Sequence, residues 1–198
     1  MIQVRDSYFK APDGNRYFRR NAPDVVVGSY GAKKEPVTQA NYLAADGHIR
    51  FELLDGKIKK QPPVEVDWAR ESRADVEAEV KYYFVAGGTA KFTHQKAKEA
   101  HLKLMRFSIE AGHLENLLNK EANAVRKELK EEGNDARVCT SVWVVMSGEL
   151  AEKFNTSLTL GASGTTADGL TITASGGGKW SGSEKIKLSP GTVFAYGL

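Results

Sequence analysis

Glu77 and Glu79, two residues apart in the run EAEVK, are the closest approach in this sequence to an acid–base pair. Alternate residues of a strand point to one side, so both carboxylates would share a face. No nucleophile or electrophile partner is suggested beside them, and a solvated strand face is the better reading. The same holds for Glu65, Asp67 and Glu71 in EVDWARE. The histidines His48, His94, His101 and His113 stand apart without the short spacings of zinc ligands, and Cys139 is the single cysteine that could join them. A Gly-x-Ser-x-Gly elbow is lacking. The run Gly176-Gly177-Gly178-Lys179 suggests a phosphate cradle, but the helix such a cradle requires is not expected after it. Catalytic residues, metal ligands and cofactors are therefore not assigned, and a non-enzymatic protein is expected.

Two patterns point to binding instead. Basic residues gather in GNRYFRRN (Arg16, Arg19, Arg20), in GAKKE (Lys33, Lys34) and in GKIKKQ (Lys57, Lys59, Lys60). Such clusters attract acidic lipid headgroups at about 1 kcal/mol per basic residue near an anionic surface. Tyr17 and Phe18 lie among the arginines and could stack on bases, so single-stranded nucleic acid is a lesser candidate. The second pattern is the Ser/Thr/Gly-rich alternation that begins at Phe154. In a bilayer it would turn apolar groups to lipid and hydroxyls to a water-filled lumen, with Phe154, Leu158, Leu160, Leu170, Ile172 and Trp180 as membrane-insertion candidates. An ordinary sheet hairpin would share this pattern.

With 198 residues, 41% hydrophobic and 27% charged, the chain is expected to form a single α+β domain over 1–198, with a basic N-terminal third over 1–63. A net charge of +3 is too small to mark a nucleic-acid binder. Cys139 cannot form an internal disulfide, and MIQVRDSYFKAPDG lacks the apolar core of a signal peptide, so a cytoplasmic protein is expected. Apolar runs fall short of the roughly 18 residues of a transmembrane helix.

Asp24–Tyr30 (DVVVGSY) predicts a strand, and 31–47 reads as loop with at most a short helix. Ile49, Phe51 and Leu53 alternate before Asp55-Gly56, predicting a hairpin that returns through Lys57–Gln61. Val76–Phe84 predicts a strand that turns at Gly87-Gly88 and pairs through Ala90, Phe92 and His94. Leu102–Ile109 is ambiguous: its apolar phase slips by one residue, which suits a bulged strand or a helix with a poor stripe. Leu114, Leu117, Leu118, Ala122, Val125 and Leu129 form one apolar stripe, predicting one long amphipathic helix up to Lys130. Val142–Val145 reads as a strand buried on both faces, and the chain is expected to close on a strand after Pro190-Gly191. The expected fold is a twisted, mainly antiparallel sheet with the long helix packed on it.

This order of elements resembles the pore-forming domain of the gasdermin family. There a strand pair and a helix precede a strand similar to ARVCTSVWVVMSGEL, a variable amphipathic hairpin follows, and the last strand is similar to KIKLSPGTVFAYGL. The resemblance rests on Val142–Val145, Pro190-Gly191-Thr192 and Val193-Phe194-Ala195-Tyr196, over roughly the C-terminal 120 residues. It implies a protein that binds acidic membranes, relocates to them from the cytoplasm, assembles as a homo-oligomer and inserts hairpins drawn from Phe154–Lys179 and Val76–Ile109. Family members shed an inhibitory segment, so a chain ending at Leu198 reads as an active form or a shorter piece. The other reading is a soluble protein-binding module, an inhibitor or accessory protein of a larger assembly. It would use the charged face of 114–130 or the basic N-terminal third.

Overall fold

The computed structural model of the protein describes residues 1–54, 56–71, 80–83, 89–92, 101–149, 151–152, 171–173, 185–187 and 193–198. Its fold is α+β, dominated by a curled, mainly antiparallel sheet. The described strands are β1 (Gln3–Val4), β2 (Tyr8–Lys10), β3 (Arg16–Phe18), β4 (Ser29–Lys34), β5 (Tyr42–His48), β6 (Ile58–Lys60), β7 (Val64–Glu65), β8 (Val80–Tyr83), β9 (Thr89–Phe92), β10 (Leu102–Ile109), β11 (Ala136–Val138), β12 (Ser141–Ser147), β13 (Thr171–Thr173), β14 (Lys185–Lys187) and β15 (Val193–Gly197). The described α-helices include α1 (Phe51–Leu54), α2 (Trp68–Glu71), α3 (Ala111–Lys120) and α4 (Asn123–Glu131).

The larger sheet runs β1-β2-β3-β15-β12-β10-β6, with β7 also on β10 and the β8–β9 hairpin attached to β12. A smaller sheet runs β11-β4-β5, and β13 pairs with β14 in parallel. The chain crosses between the first two sheets at Cys139 and Thr140. Cys139 N–H donates to the Ser29 carbonyl (2.7 Å) and Thr140 N–H to the Gly197 carbonyl (2.9 Å), so the crossing leaves both amides satisfied.

The central strands separate two cores. In β12, Val142, Val144 and Met146 enter the first core while Trp143 and Val145 enter the second. An unbroken apolar run suits a strand covered on both faces. The same logic resolves the phase slip in β10. Leu102 and Leu104 join the second core, Met105, Phe107 and Ile109 join the first, and the register with β12 is continuous from Leu102 to Ser108. The apolar phase changes because the buried face changes, and neither a bulge nor a helix is needed. The bulge lies in the β12–β15 pairing instead. Trp143 faces Ala195 and Val144 faces Val193, which leaves Phe194 as the extra residue and sends both Phe194 and Ala195 into the second core.

The smaller sheet, α1 and α3 contribute to the first core through Tyr30, Leu43, Leu54, Leu114 and Leu117. The second is covered by β1–β3, which curl back so that Phe9 and Tyr17 meet Trp143 edge-on, at 5.2 and 5.5 Å between ring centroids. Trp68 of α2 closes that core against Phe194.

Several sequence expectations are corrected. Asp24–Tyr30 does not form one strand: Val25–Val27 are buried in a turn where Ser29 Oγ accepts the Val26 N–H (2.9 Å), and β4 starts only at Ser29. The stretch expected as loop, 31–47, lies mostly in the β4–β5 hairpin. The expected hairpin at Asp55-Gly56 is absent, because Phe51–Leu54 makes a helical turn that buries Leu54, and Ile58–Lys60 pairs with β10. Helical spacing fits Phe51 and Leu54 to one face as well as alternation fits Phe51 and Leu53. Asp55 lies outside the described residues.

The single long helix is also two. The Leu117 carbonyl accepts N–H groups from both Glu121 (2.9 Å) and Ala122 (2.7 Å), and Ala122 leaves helical geometry. The break lets α3 bury Leu114 and Leu117, while Val125 and Leu129 of α4 pack only partly against the core. Its outer anchor is Glu128, whose Oε2 accepts the Tyr30 hydroxyl at 2.6 Å.

Tyr30 reaches Glu128 by crossing Gly47, its partner in β5. A Cβ at Gly47 would stand 2.7 Å from the Tyr30 hydroxyl oxygen. Gly47→Ala is expected to displace that ring, break the Glu128 hydrogen bond and destabilise the fold by about 1–3 kcal/mol. Denaturant unfolding checks the cost. An unchanged midpoint would show that Tyr30 does not depend on the glycine.

Candidate functional site

The basic residues fall at separate places in this architecture. Arg16, at the start of β3, is exposed and lies over the Tyr8 ring at 4.6 Å. Arg20 follows β3, lies over the Tyr42 ring at 4.5 Å and donates to the Ala40 carbonyl at 3.3 Å. Tyr42 is paired with Lys34 across β4 and β5, so Arg20, Tyr42 and Lys34 form one basic corner. Guanidinium stacking on a ring face holds the cation in place while leaving its edge to an acidic group. The neighbouring Lys33 is paired with Glu35, whose carboxyl it holds below its ordinary range. Val37, in the connection between β4 and β5, is fully exposed.

Arg19 points elsewhere. Its guanidinium lies 4.3 Å from the Phe194 ring centroid and donates to the Arg5 carbonyl at 2.6 Å. Burial pulls its pKa down to about 10, and Nε finds no partner among the described residues. Removing a guanidinium from water disfavours its charge, which makes Arg19 a core-edge residue more than a surface one.

Lys57, Lys59 and Lys60 sit at or beside β6, on the far side of the large sheet. Four strand spacings separate β6 from β3, about 19 Å at about 4.8 Å each. Lys57 donates to the Leu53 carbonyl at 2.8 Å, Lys59 pairs with Glu110, and burial pulls the Lys60 pKa down. The folded chain thus brings Lys34 of the second cluster to the Tyr42 face beside Arg20 and keeps the third cluster apart.

Phe154, Leu158, Leu160, Leu170 and Trp180 lie outside the described residues. Ile172 is in β13, in register with Ile186 of the parallel strand β14. The hairpin expected over Val76–His94 is described at Val80–Tyr83 and Thr89–Phe92, where Tyr82 is in register with Ala90 in an antiparallel pair, and His94 lies outside the described residues.

Tyr17 and Phe18 do not offer faces for base stacking. Tyr17 is buried against Phe9 and Trp143, and its hydroxyl donates to Asp13 Oδ2 at 2.9 Å. Phe18 stacks on Tyr196 at 5.6 Å. The aromatic partners of Arg16, Arg19 and Arg20 are Tyr8, Phe194 and Tyr42, none adjacent in sequence to the arginine it meets. Their signal was long-range pairing, which adjacency does not carry.

Burial pushes the Asp13 carboxyl up, but hydrogen bonds from the Asn15 amide and the Tyr17 hydroxyl outweigh it and leave the pKa below the usual value. Burial pushes the Cys139 thiol far up, away from thiolate chemistry. Among the described residues no group of three His, Cys, Asp or Glu side chains could hold a metal ion, and no helix is long and apolar enough to cross a membrane.

One further polar centre escaped the sequence. Lys103 of β10 faces Glu65 of β7, its cross-strand partner, at 3.7 Å, and is also paired with Glu152. Both carboxylates favour the ammonium and raise its pKa, the hydrogen bond to Glu152 most. No family model, curated protein or solved structure matches the chain.

Proposed function

We propose that this is a non-enzymatic, gasdermin-like pore-forming protein that binds acidic membranes, assembles with copies of itself and inserts amphipathic β-hairpins. One observation carries the reading: both stretches offered for insertion join the sheet at one end. The first, Val76–Ile109, enters β10 at Leu102, the second follows β12 beyond Ser147, and Leu102 and Ser147 are paired in register. β7, which precedes the first stretch, pairs at Lys103 and Leu104, and β15 receives the second at Val193, opposite Val144. Two hairpins rooted side by side can extend in one direction, as strands entering a common barrel must. The corner of Arg20 and Lys34, with exposed Val37 between β4 and β5, supplies charge and an apolar residue for an acidic surface.

Acidic liposomes loaded with a self-quenched dye test the reading. Leakage at micromolar protein is expected, with or without limited proteolysis, and its absence in both conditions would sink it. Arg20→Gln with Lys34→Gln is expected to weaken vesicle binding by about tenfold, an effect that fades in neutral lipid.

Helix α4, which buries no residue fully, favours a second reading as a soluble binding module through 114–130. A stable stoichiometric protein partner without lipid binding would support it over the first.

A further inference from the structure

Arg16 lies outside the corner of Arg20 and Lys34, and another cation stands directly opposite it. Gln3, Lys10 and Arg16 are in register across β1, β2 and β3, so their side chains share one face. The other face of the same strands, with Val4, Phe9 and Tyr17, is buried in the second core. Like charges opposite each other on paired strands, about 5 Å apart at their β-carbons, destabilise the pairing. Neither Lys10 nor Arg16 has an ion pair among the described residues. Asp13, in the turn between them, accepts from the Asn15 amide and the Tyr17 hydroxyl instead. The face is also pre-arranged. Arg16 is held over the Tyr8 ring at 4.6 Å, and the Tyr8 hydroxyl donates to Gln3 Oε1 at 3.2 Å. Stacking fixes the guanidinium plane and leaves its donor edge to a carboxylate.

The opposite imbalance stands at the end of α4. Glu131 closes that helix, Glu132 caps it and Asp135 follows, all exposed. Carboxylates are disfavoured at a helix C-terminus, where the macrodipole is already negative. Lys130 is the one base in the last turn, and the Arg137 guanidinium donates to the Asn134 and Ala136 carbonyls. None of the three carboxylates has an ion pair among the described residues. We propose that the Lys10–Arg16 face of one copy of this chain docks on the acidic end of α4 of the next. The inference rests on the self-assembly in the reading above and names its surfaces. Each patch is unfavourable in a single chain, and one contact relieves both. Because the two patches lie on different elements, the contact is head to tail, the kind that repeats from copy to copy and closes into a ring when its rotation allows.

Sedimentation of the full chain in solution, without lipid, tests the contact beside leakage from acidic liposomes. Self-association is expected to rise with concentration and to weaken about tenfold from low to physiological salt. Lys10→Glu with Arg16→Glu, and separately Glu131→Lys with Glu132→Lys and Asp135→Lys, are each expected to weaken it by about tenfold or more and to slow leakage. The milder Lys10→Gln with Arg16→Gln is expected to weaken it about threefold. An equal mixture of the two charge-reversed variants is expected to regain native association, because each reversed face then meets a reversed end. Misfolded variants would not recover in this way. A native chain that stays monomeric at every concentration and salt, association indifferent to these charges, or folded variants that fail to recover when mixed would overturn the interface. Loss of binding to acidic vesicles by Lys10→Glu with Arg16→Glu, with self-association unchanged, would assign the face to lipid and also overturn it. Any of these results with leakage at the native rate leaves the pore reading intact. Association with the expected charge dependence but no leakage from any form would keep the interface and overturn the pore reading.

Discussion

Trp143→Ala is expected to lower the unfolding free energy by about 3–5 kcal/mol, the usual cost of emptying a large buried aromatic site. Trp143 is 3% exposed and sits where the curl of the sheet closes, between the faces of β12 and the returning strands β2 and β3. Its edge-on contacts with Phe9 and Tyr17 are the contacts through which β2 and β3 close over the central strands. Collapse into the cavity would need β2 and β3 to move together, and they are tied to β15 by the pairing of Phe18 with Tyr196. Little relaxation is therefore available, which places the cost toward the upper end. Trp143→Phe keeps an edge against Phe9 and is expected to cost less. Denaturant unfolding of the three proteins decides this. A loss below about 1 kcal/mol for Trp143→Ala would mean that the second core tolerates a void and that β1–β3 are held by something else.

The physical reach of each signal explains what the sequence disclosed. Val142–Val145 was legible because a strand covered on both faces needs no alternation, and apolar residues at every position leave few other options. Val80–Tyr83 and Thr89–Phe92 were legible because the two paired strands lie close together in sequence. The β4–β5 hairpin was not, since Gly31, Gly47 and the alanines Ala32, Ala44 and Ala45 dilute its pattern. Those small residues are there for contact: a Cβ at Gly31 would lie 2.0 Å from the Ala44 carbonyl oxygen, and one at Gly47 would meet Tyr30. The break between α3 and α4 escaped because the apolar stripe continues across it, while the kink depends on how the core curves. The basic clusters could be counted but not placed. Whether Arg20 meets Lys34 or Lys59 is decided by strand order, and no local residue encodes that.

Tyr196→Phe is the second large effect expected, and it links stability to the basic corner. The Tyr196 hydroxyl accepts the Leu43 N–H at 2.8 Å and donates to the Arg20 carbonyl at 3.0 Å, tying β5 to the turn after β3. Both Tyr196 and Leu43 are buried, so the phenylalanine leaves a donor and an acceptor unmade, at about 1–3 kcal/mol. Burial pushes the Tyr196 pKa up to about 12, and the hydrogen bond to Glu128 does the same for Tyr30. The folded state thus favours the protonated phenols. Their stabilisation is full below pH of about 10, where unfolded tyrosines are still neutral, and is lost as pH rises toward about 12. Alkaline unfolding of the native protein should be steep in that window, and Tyr196→Phe, already weaker at neutral pH, should lose less additional stability there. An unchanged alkaline slope would show that the hydroxyl is not the group being titrated. Arg20 and Tyr42 lie on the two segments that this hydroxyl joins, so under the membrane-binding proposal Tyr196→Phe is also expected to weaken binding to acidic vesicles without altering any charge. Binding that follows charge alone would leave this variant equal to the native protein, and would separate the attraction of the corner from its geometry.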